Sequence, residues 1–531
     1  LDLIGAILNV FPAFMIRYMN RFLLLVAFGI LFTGCTNTES EKPHPNIVFI
    51  LLDDLGYGDF KAFNPDSKIG TPNIDRLANT GIRFTNAHTT SSVCTPSRYS
   101  MLTGRYNWRS ALKEGVLTGV SASIISENRP TVAHLLQDNG YATGFVGKWH
   151  LGWDWARLDS TIGFGTGWNP GDYDNIDFSK PVTDGPQSKG FDYSFAIAGS
   201  LDMAPYVYVE NGMPTALPNR ITVDTGSKTW WREGPTAADF EHVQTTPLVF
   251  EKAQHFIRQH QNQAFFLQIS LPSPHTPILP LPEWQGKSGL NEYADFVMQI
   301  DGHIGALLEL LREQDLAENT LIILSSDNGC SPQANFKELA QKGHYPGYIY
   351  RGHKADIYEG GTRVPLILNW PGVIRENSQS DIPVSLADLY ATVADLLGHQ
   401  LYDFEAEDSF SLMPLVTPSP DKLYTRQNLV TSSINGTFAI RKGDLKLILG
   451  SDSGGWSTPL PTDSTAFLPP YQLYDLATDP GERVNLAPDR PEVVDALSNA
   501  LITLIKQGGS RNGNNPGNDA VTDWPQLRWM Q

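Results

Sequence analysis

The stretch "PNIVFILLDDLGYGD" (45–59) decides the fold. The six residues Ile47 to Leu52 are all aliphatic or aromatic and show no alternation, and the run stops abruptly on Asp53-Asp54. A strand covered on both faces reads this way, as in the parallel sheet of an α/β protein. Working outward, "TPNIDRLANTGIRF" (71–84) reads as a short helix ended by Gly81. "TVAHLLQDNGYATGFVGKWHLG" (131–152) reads as a helix and then a strand, and "AFFLQISLPSPHTP" (264–277) as a strand running into a Pro-rich loop. Residues 292–313 form an amphipathic helix, "TLIILSSDNG" (320–329) a strand ending in Asp-Asn-Gly, and "RVPLILNWPG" with "SLADLYATVADLLG" closes the region near 400. Strands alternating with helices predict a large, mostly parallel sheet flanked by helices.

Beyond a linker around 400–425 the texture changes. "TFAIRKGDLKLILG" (437–450) reads as a hairpin turning at Lys442-Gly443-Asp444, "YQLYDLATDPGERVNLA" as a strand and turn, and 491–507 as a helix. The expected organisation is a segment 1–44, a catalytic domain 45–425 and a smaller α+β domain 426–531. Residues 508–520, "GGSRNGNNPGNDA", are expected as a flexible loop. Residues 153–240, rich in Gly and aromatics, are expected to shape access to a site.

The 531 residues carry 39 basic and 57 acidic side chains, a net charge of −18, which argues against nucleic acid as a partner. An anionic substrate would need positive charge placed locally, inside a cleft. "MNRFLLLVAFGILFTGC" (19–35) has a basic start, a short apolar run and small residues before a cysteine, the layout of an export signal. It resembles a bacterial lipoprotein signal with Cys35 as the lipidated residue, although Phe32 stands where an aliphatic residue is usual; a plain signal with an incidental cysteine is the alternative. Residues 1–18 read as an over-extended frame ahead of Met19. The expected location is the periplasm or the outer membrane, held by a lipid anchor. That leaves Cys94 and Cys330, too few for a disulfide framework.

In open α/β sheets ligands gather outside the carboxyl ends of the strands. Asp53, Asp54, Lys148, His150, His275, Asp327 and Asn328 all fall there. Asp53-Asp54 and Asp327-Asn328 offer three carboxylates and an amide oxygen, a set suited to a hard divalent ion, Ca²⁺ more than Zn²⁺. Each Asp or Asn alone would read as a cap or turn residue. Cys94 sits in "SSVCTPSRYSMLTGRY" (91–106), which has no hydrophobic period before "YSMLTG" and is not expected to form a core element.

"CTPSR" (94–98), after "DDLGYGD" and before "GKWHLG", resembles the signature of the formylglycine-dependent sulfatases of the alkaline phosphatase superfamily. "PHTP", "DNG", "HKADIYEGGTRVP" and "YDLATDPGERVNL" follow in the family's order, so the resemblance runs from about 45 to 490. It implies that a formylglycine-generating enzyme converts Cys94 to formylglycine, whose hydrate is the nucleophile, and that Asp53, Asp54, Asp327 and Asn328 hold one Ca²⁺. It further implies that Arg98 holds the nucleophile and its loop, that Lys148 and Lys354 grip sulfate oxygens, that His275 with Lys354 protonates the leaving sugar oxygen, and that His150 draws the proton that regenerates the aldehyde.

His353, Arg105 and Asp202 are expected as substrate contacts. Trp108 and Arg109 are either sugar-binding or core, and His88, His303 and His344 are expected as structural or surface residues. The substrate implied is a sulfated oligosaccharide or polysaccharide, with algal glycans such as ulvan or carrageenan ahead of glycosaminoglycans. The alternatives are a phosphonate monoester hydrolase or phosphodiesterase of the same superfamily, and a lipid-anchored glycan-binding protein without catalysis.

Overall fold

The computed structural model describes residues 44–223, 230–418, 422–521 and 523–530. Cys35 and the apolar run 19–35 lie outside the described residues. Among those described, no helix is long and apolar enough to cross a membrane.

The opening stretch forms the central strand. β1 (Asn46–Asp53) is buried along its whole length. Around it lie β2 (Ile82–His88), β3 (Ala142–Lys148), β4 (Tyr193–Ile197), β5 (Phe265–Pro274), β6 (Thr320–Ser326) and β7 (Arg363–Asn369). The sheet runs β2-β7-β6-β1-β5-β3-β4, extended at both ends by two- and three-residue strands. β6, β1, β5, β3 and β4 are mutually parallel, while β7 is antiparallel to both β6 and β2. The carboxyl ends of six strands and the amino end of β7 therefore share one edge.

Helices cover the sheet in two groups. α1 (Pro72–Asn79), α4 (Thr245–Gln259) and α5 (Glu292–Glu313) pack together, as do α2 (Cys94–Thr103), α3 (Val132–Asp138) and α6 (Leu389–Leu396). α5 starts where the Asn291 side chain accepts a hydrogen bond from the Ala294 N–H, a cap that satisfies an otherwise orphaned donor. α2 corrects an expectation: the Cys94 stretch is a ten-residue helix, every residue of it buried. Its face toward the sheet edge is polar because it lines a site, so no apolar period marks it.

The second sheet is antiparallel and sequential: β8 (Leu429–Ser432), β9 (Phe438–Lys442), β10 (Leu445–Ile448) and β11 (Gln472–Asp475), with α7 (Pro491–Gln507) packed on β9 and β10. Lys442 pairs with Leu445, so Gly443-Asp444 make a two-residue turn with Gly443 at φ 58°. β8 also buttresses the main site: Ser432 N–H donates to Thr90 O (2.9 Å) and Ser92 N–H to Ser432 O (3.0 Å), two residues before Cys94.

Two expected loose segments are tied down by buried charge. In the stretch 400–425, Glu407 pairs with Arg129 (2.6 Å) and Arg105 (3.6 Å), and Asp408 with Arg109 (2.8 Å). In the loop 508–520, Asp519 pairs with Arg105 (3.1 Å) and Asn518 accepts from Arg109 (3.0 Å). A buried guanidinium must find partners, and these loops supply them.

Candidate active site

β1 ends on Asp53, and Asp54 follows it at a φ of 62°. β6 delivers Asp327 and Asn328 beside it. Gly329 lets this segment approach the 360–361 backbone: a Cβ there would lie 1.8 Å from Gly360 O. β3 delivers Lys148 after Gly147, at φ 111°, where a Cβ would meet Ser270 O at 2.0 Å. The loop before β7 delivers Lys354.

Three buried cations face three buried carboxylates. Lys148 Nζ lies 2.6 Å from Asp53 Oδ2, and Lys354 Nζ 2.7 Å from Asp54 Oδ2. Arg98 spans Asp327 Oδ2 (2.8 and 2.9 Å) and Asp53 Oδ2 (3.6 Å), and donates to the Lys148 carbonyl (2.9 Å) and Ser270 Oγ (2.5 Å). Burial alone would raise the Asp53 carboxyl, but Lys148, His275, Arg98 and Lys354 outweigh it and hold it far below the usual range. Burial and the neighbouring Asp53 charge push Asp327 the other way, against Arg98 and Lys148. Burial would lower the Lys354 ammonium, but the charge of Asp54 raises it.

Asn328 Nδ2 donates to Asp54 Oδ1 (2.7 Å), while its amide oxygen and Asp53 Oδ1 are buried without a partner. Orphaned buried acceptors carry a desolvation cost that a ligand must relieve. Two bare oxygens within an all-oxygen acidic set fit a hard divalent cation, and Asp53, Asp54, Asp327 and Asn328 are the residues that would hold it. His275 stands at the rim of this cluster, with atoms of Asp53, Asp54 and His275 all within 4.8 Å of one another.

Each of the two histidines donates one ring N–H to a backbone carbonyl. His275 Nδ1 donates to the Thr276 carbonyl (2.7 Å), which turns Nε2 toward Asp54 Oδ2 at 3.5 Å. His150, at φ 54°, donates from Nε2 to Leu117 O (2.8 Å). Its Nδ1 lone pair is thus buried and unpartnered. Burial and the Lys148 charge hold this ring well below the ordinary imidazole range, so it stays neutral and able to take a proton. Thr95 Oγ1 donates to His150 O (3.0 Å), bringing the start of α2 to the same place. Burial raises the Cys94 thiol, opposed by Lys148 and Lys354. Left as a thiol, Cys94 is therefore protonated, and it is a poor ligand for a hard cation.

Asp202, after β4, reaches the rim with Oδ1 3.9 Å from His275 Nδ1. His353 is half-buried next to Lys354, its Nδ1 donating to the Lys354 carbonyl (2.9 Å). Arg105 is a correction: it is 1% exposed and spent on Tyr99, Glu407 and Asp519, so it binds chain rather than sugar. Trp108 stacks on Tyr106 (5.4 Å) in the core of the second sheet, and Arg109 is locked to Asp408. His88 bonds Asn86, His303 stacks on Phe250, and His344 bonds Asp59 (2.8 Å). Ser270 and Thr95 were missed, as lone hydroxyls in strand and helix give no signal in sequence.

Parallel strands that carry acids to one edge, with bases arriving from the loops around it, are the architecture of the alkaline phosphatase-like ester hydrolases, and the chain falls in that class. A family model described as Sulfatase matches residues 45–399. The chain is 36% identical to N-acetylgalactosamine-6-O-sulfatase of Bacteroides thetaiotaomicron, over 91% of this chain and 99% of that one. It is 33% identical to steryl-sulfatase of Homo sapiens, over 74% and 73% of the two chains. It also superposes on a Bacteroides thetaiotaomicron sulfatase solved in a study of the metabolism of multiple glycosaminoglycans, with a TM-score of 0.75 and 33% identity over 87% of this chain and 99% of that one. The chain belongs to the sulfatase family and is a sulfuric ester hydrolase.

Proposed function

We propose that the chain removes 6-O-sulfate from a galactose-configured sugar of a polysaccharide fragment, using one Ca²⁺ and a formylglycine derived from Cys94. One observation carries the chemistry: three buried carboxylates balanced by three buried cations, with two bare oxygens among them, beside the amino end of the Cys94 helix. Such a cluster is neutral as it stands. A divalent cation adds the positive charge that a sulfate ester needs, and a hydrated aldehyde at Cys94 supplies a hydroxyl nucleophile.

The chain's own residues do the rest. Lys148 and Lys354 turn from Asp53 and Asp54 toward sulfate oxygens as charge builds on them. Arg98, held by Asp327 and Ser270, keeps the start of α2 in place. His275, held through Nδ1, protonates the departing sugar oxygen from Nε2 when its ring carries a proton on both nitrogens. His150, fixed through Nε2, takes the hydroxyl proton at Nδ1.

The sugar class rests on the N-acetylgalactosamine-6-O-sulfatase relative, matched over nearly its full length, and it moves glycosaminoglycan-type sugars ahead of ulvan or carrageenan. We also propose export with lipidation at Cys35 and maturation by a formylglycine-generating enzyme. The test is sulfate release, with calcium present, from N-acetylgalactosamine 6-sulfate, glucosamine 6-sulfate and carrageenan and ulvan oligosaccharides. The protein used must show the aldehyde on its Cys94 peptide by mass spectrometry. Release from the first substrate supports the proposal, release from an algal glycan alone overturns its sugar class, and silence on all of them with the aldehyde confirmed overturns it altogether.

A further inference from the structure

Loops from the Gly- and aromatic-rich stretch build a second feature next to His275. Asp202 is buried, with one carboxylate oxygen bonded to Arg232 Nη1 and the other, Oδ1, unpartnered and 3.9 Å from His275. Backbone locks the pair, with Arg232 N–H donating to Asp202 O (2.9 Å) and Tyr206 Oη to Arg232 O (2.6 Å). The Arg232 guanidinium lies over two indoles, 4.5 Å from the Trp168 ring centroid and 4.5 Å from the Trp230 ring centroid. These indoles are 43% and 36% exposed, and the Arg232 side chain keeps 23% of its surface. Thr118 Oγ1, donating to Thr166 O (2.8 Å), anchors the Trp168 loop to the segment whose Leu117 carbonyl orients His150.

The ion pair satisfies the buried Asp202 carboxylate, and it leaves part of the guanidinium and both indoles exposed. A planar guanidinium lying over aromatic rings is fixed in orientation, and only part of its five-donor fork is used by Asp202. Arg98, Lys148 and Lys354 are buried as well as paired, whereas Arg232, also paired with a carboxylate, keeps part of its side chain exposed at the rim. Exposed indoles beside it offer flat apolar faces to sugar rings.

We propose that Arg232, lying over Trp168 and Trp230 and tethered to Asp202, is the specificity-determining cation for the sugar adjoining the sulfated one, and that this neighbour is anionic. The inference rests on the sulfated-glycan reading above and deepens it. A planar fork matches paired anionic oxygens, which a uronic acid carboxylate or a second sulfate supplies. Asp202 Oδ1 accepts an O–H or N–H of the sulfated sugar itself, so one ion pair reads two adjacent units.

The test uses aldehyde-bearing, calcium-loaded protein and three disaccharides with the same 6-sulfated sugar. Its neighbour is a uronic acid, the same unit reduced to the neutral sugar, or a neutral sugar carrying sulfate. A charge-assisted pair predicts that the wild type prefers the anionic neighbours over the neutral one by about tenfold in kcat/KM, mostly through KM. In Arg232→Gln this preference collapses to near unity, and Arg232→Lys restores part of it. Preference for the uronate names a carboxylate, and preference for the sulfated neighbour names a sulfate. An equal loss on all three substrates, with the preference intact, would mean that Arg232 only holds the loop and would overturn the inference. So would a wild type indifferent to its neighbour. Calorimetric binding of the same disaccharides to Cys94→Ala, with and without Arg232→Gln, reads the preference without turnover, so a failure of the proposed reaction leaves the inference separately decidable.

Discussion

Replacing Arg98 by Met probes how far the acidic cluster depends on its own cations. The guanidinium is 2% exposed and holds Asp327 at 2.8 and 2.9 Å, and it reaches Asp53 at 3.6 Å. Its removal leaves a buried carboxylate short of a partner and frees the Lys148 carbonyl and Ser270 hydroxyl. Breaking one side of a buried pair costs about 3–5 kcal/mol. Unfolding entropy near 2.1 cal/mol/K per residue, over the unit Pro45–Gln531, gives a sensitivity of roughly 1 kcal/mol per degree, so Tm falls by about 4 °C. The assay is differential scanning fluorimetry in chelator and in calcium, with Arg312→Met as control. Arg312 pairs with Glu309 in open solvent, where such a pair contributes about 0.3–0.5 kcal/mol. A divalent ion at the cluster supplies charge that Arg98 no longer does, so the drop is smaller in calcium than in chelator. Equal shifts for Arg98→Met and Arg312→Met, or a drop unaffected by calcium, would refute the reasoning.

Cys94→Ala abolishes turnover and leaves Tm within about 2 °C, because the loss of one small side-chain atom from a buried helix start is a modest packing change; sulfate release above background would contradict the role of this side chain. His150→Ala releases about one equivalent of desulfated sugar per enzyme and then stalls, since the missing base acts after the ester bond breaks, whereas rapid quench showing no first turnover would assign His150 to the earlier step. Chelation removes activity and lowers Tm, and calcium at a hundred times its Kd returns about 2.7 kcal/mol of stability; full activity after exhaustive dialysis against chelator would exclude the metal. Gly329→Ala drives a methyl against Gly360 O, costs about 1–3 kcal/mol and lowers kcat by shifting Asn328, read by paired thermal and kinetic assays.

The strands were legible because their chemistry is local. Six unbroken apolar residues in β1 and four in β6 leave few alternatives to a doubly covered strand. The acids of the cluster were legible for the same reason, since each stands at the end of such a run. The antiparallel direction of β7 was not, because "RVPLILN" has no directional signal and its pairing is set by partners far apart in sequence. The Cys94 helix was missed because helical periodicity reports an apolar face, and this helix is buried partly against charge. Arg105 misled because a basic residue near a nucleophile looks like a substrate contact. Its partners Glu407 and Asp519 lie some three and four hundred residues downstream and become visible only once the chain is folded.

The same distinction explains how a chain of net charge −18 handles an anionic ester. Bulk charge acts through water and is screened over about 8 Å at physiological ionic strength. Arg98, Lys148 and Lys354 act across less than 3 Å in a buried site, where screening is weak. Each of them is paired with a carboxylate, so the free protein avoids the cost of burying unpaired cations. On the proposed reading Asp53 and Asp54 serve two purposes, as oxygens for a divalent ion and as counter-charges beside Lys148 and Lys354. Either purpose alone would be met by fewer residues; serving both requires side chains from several strand ends and from the loop before β7 at one edge, which a parallel sheet with a single reversed strand provides.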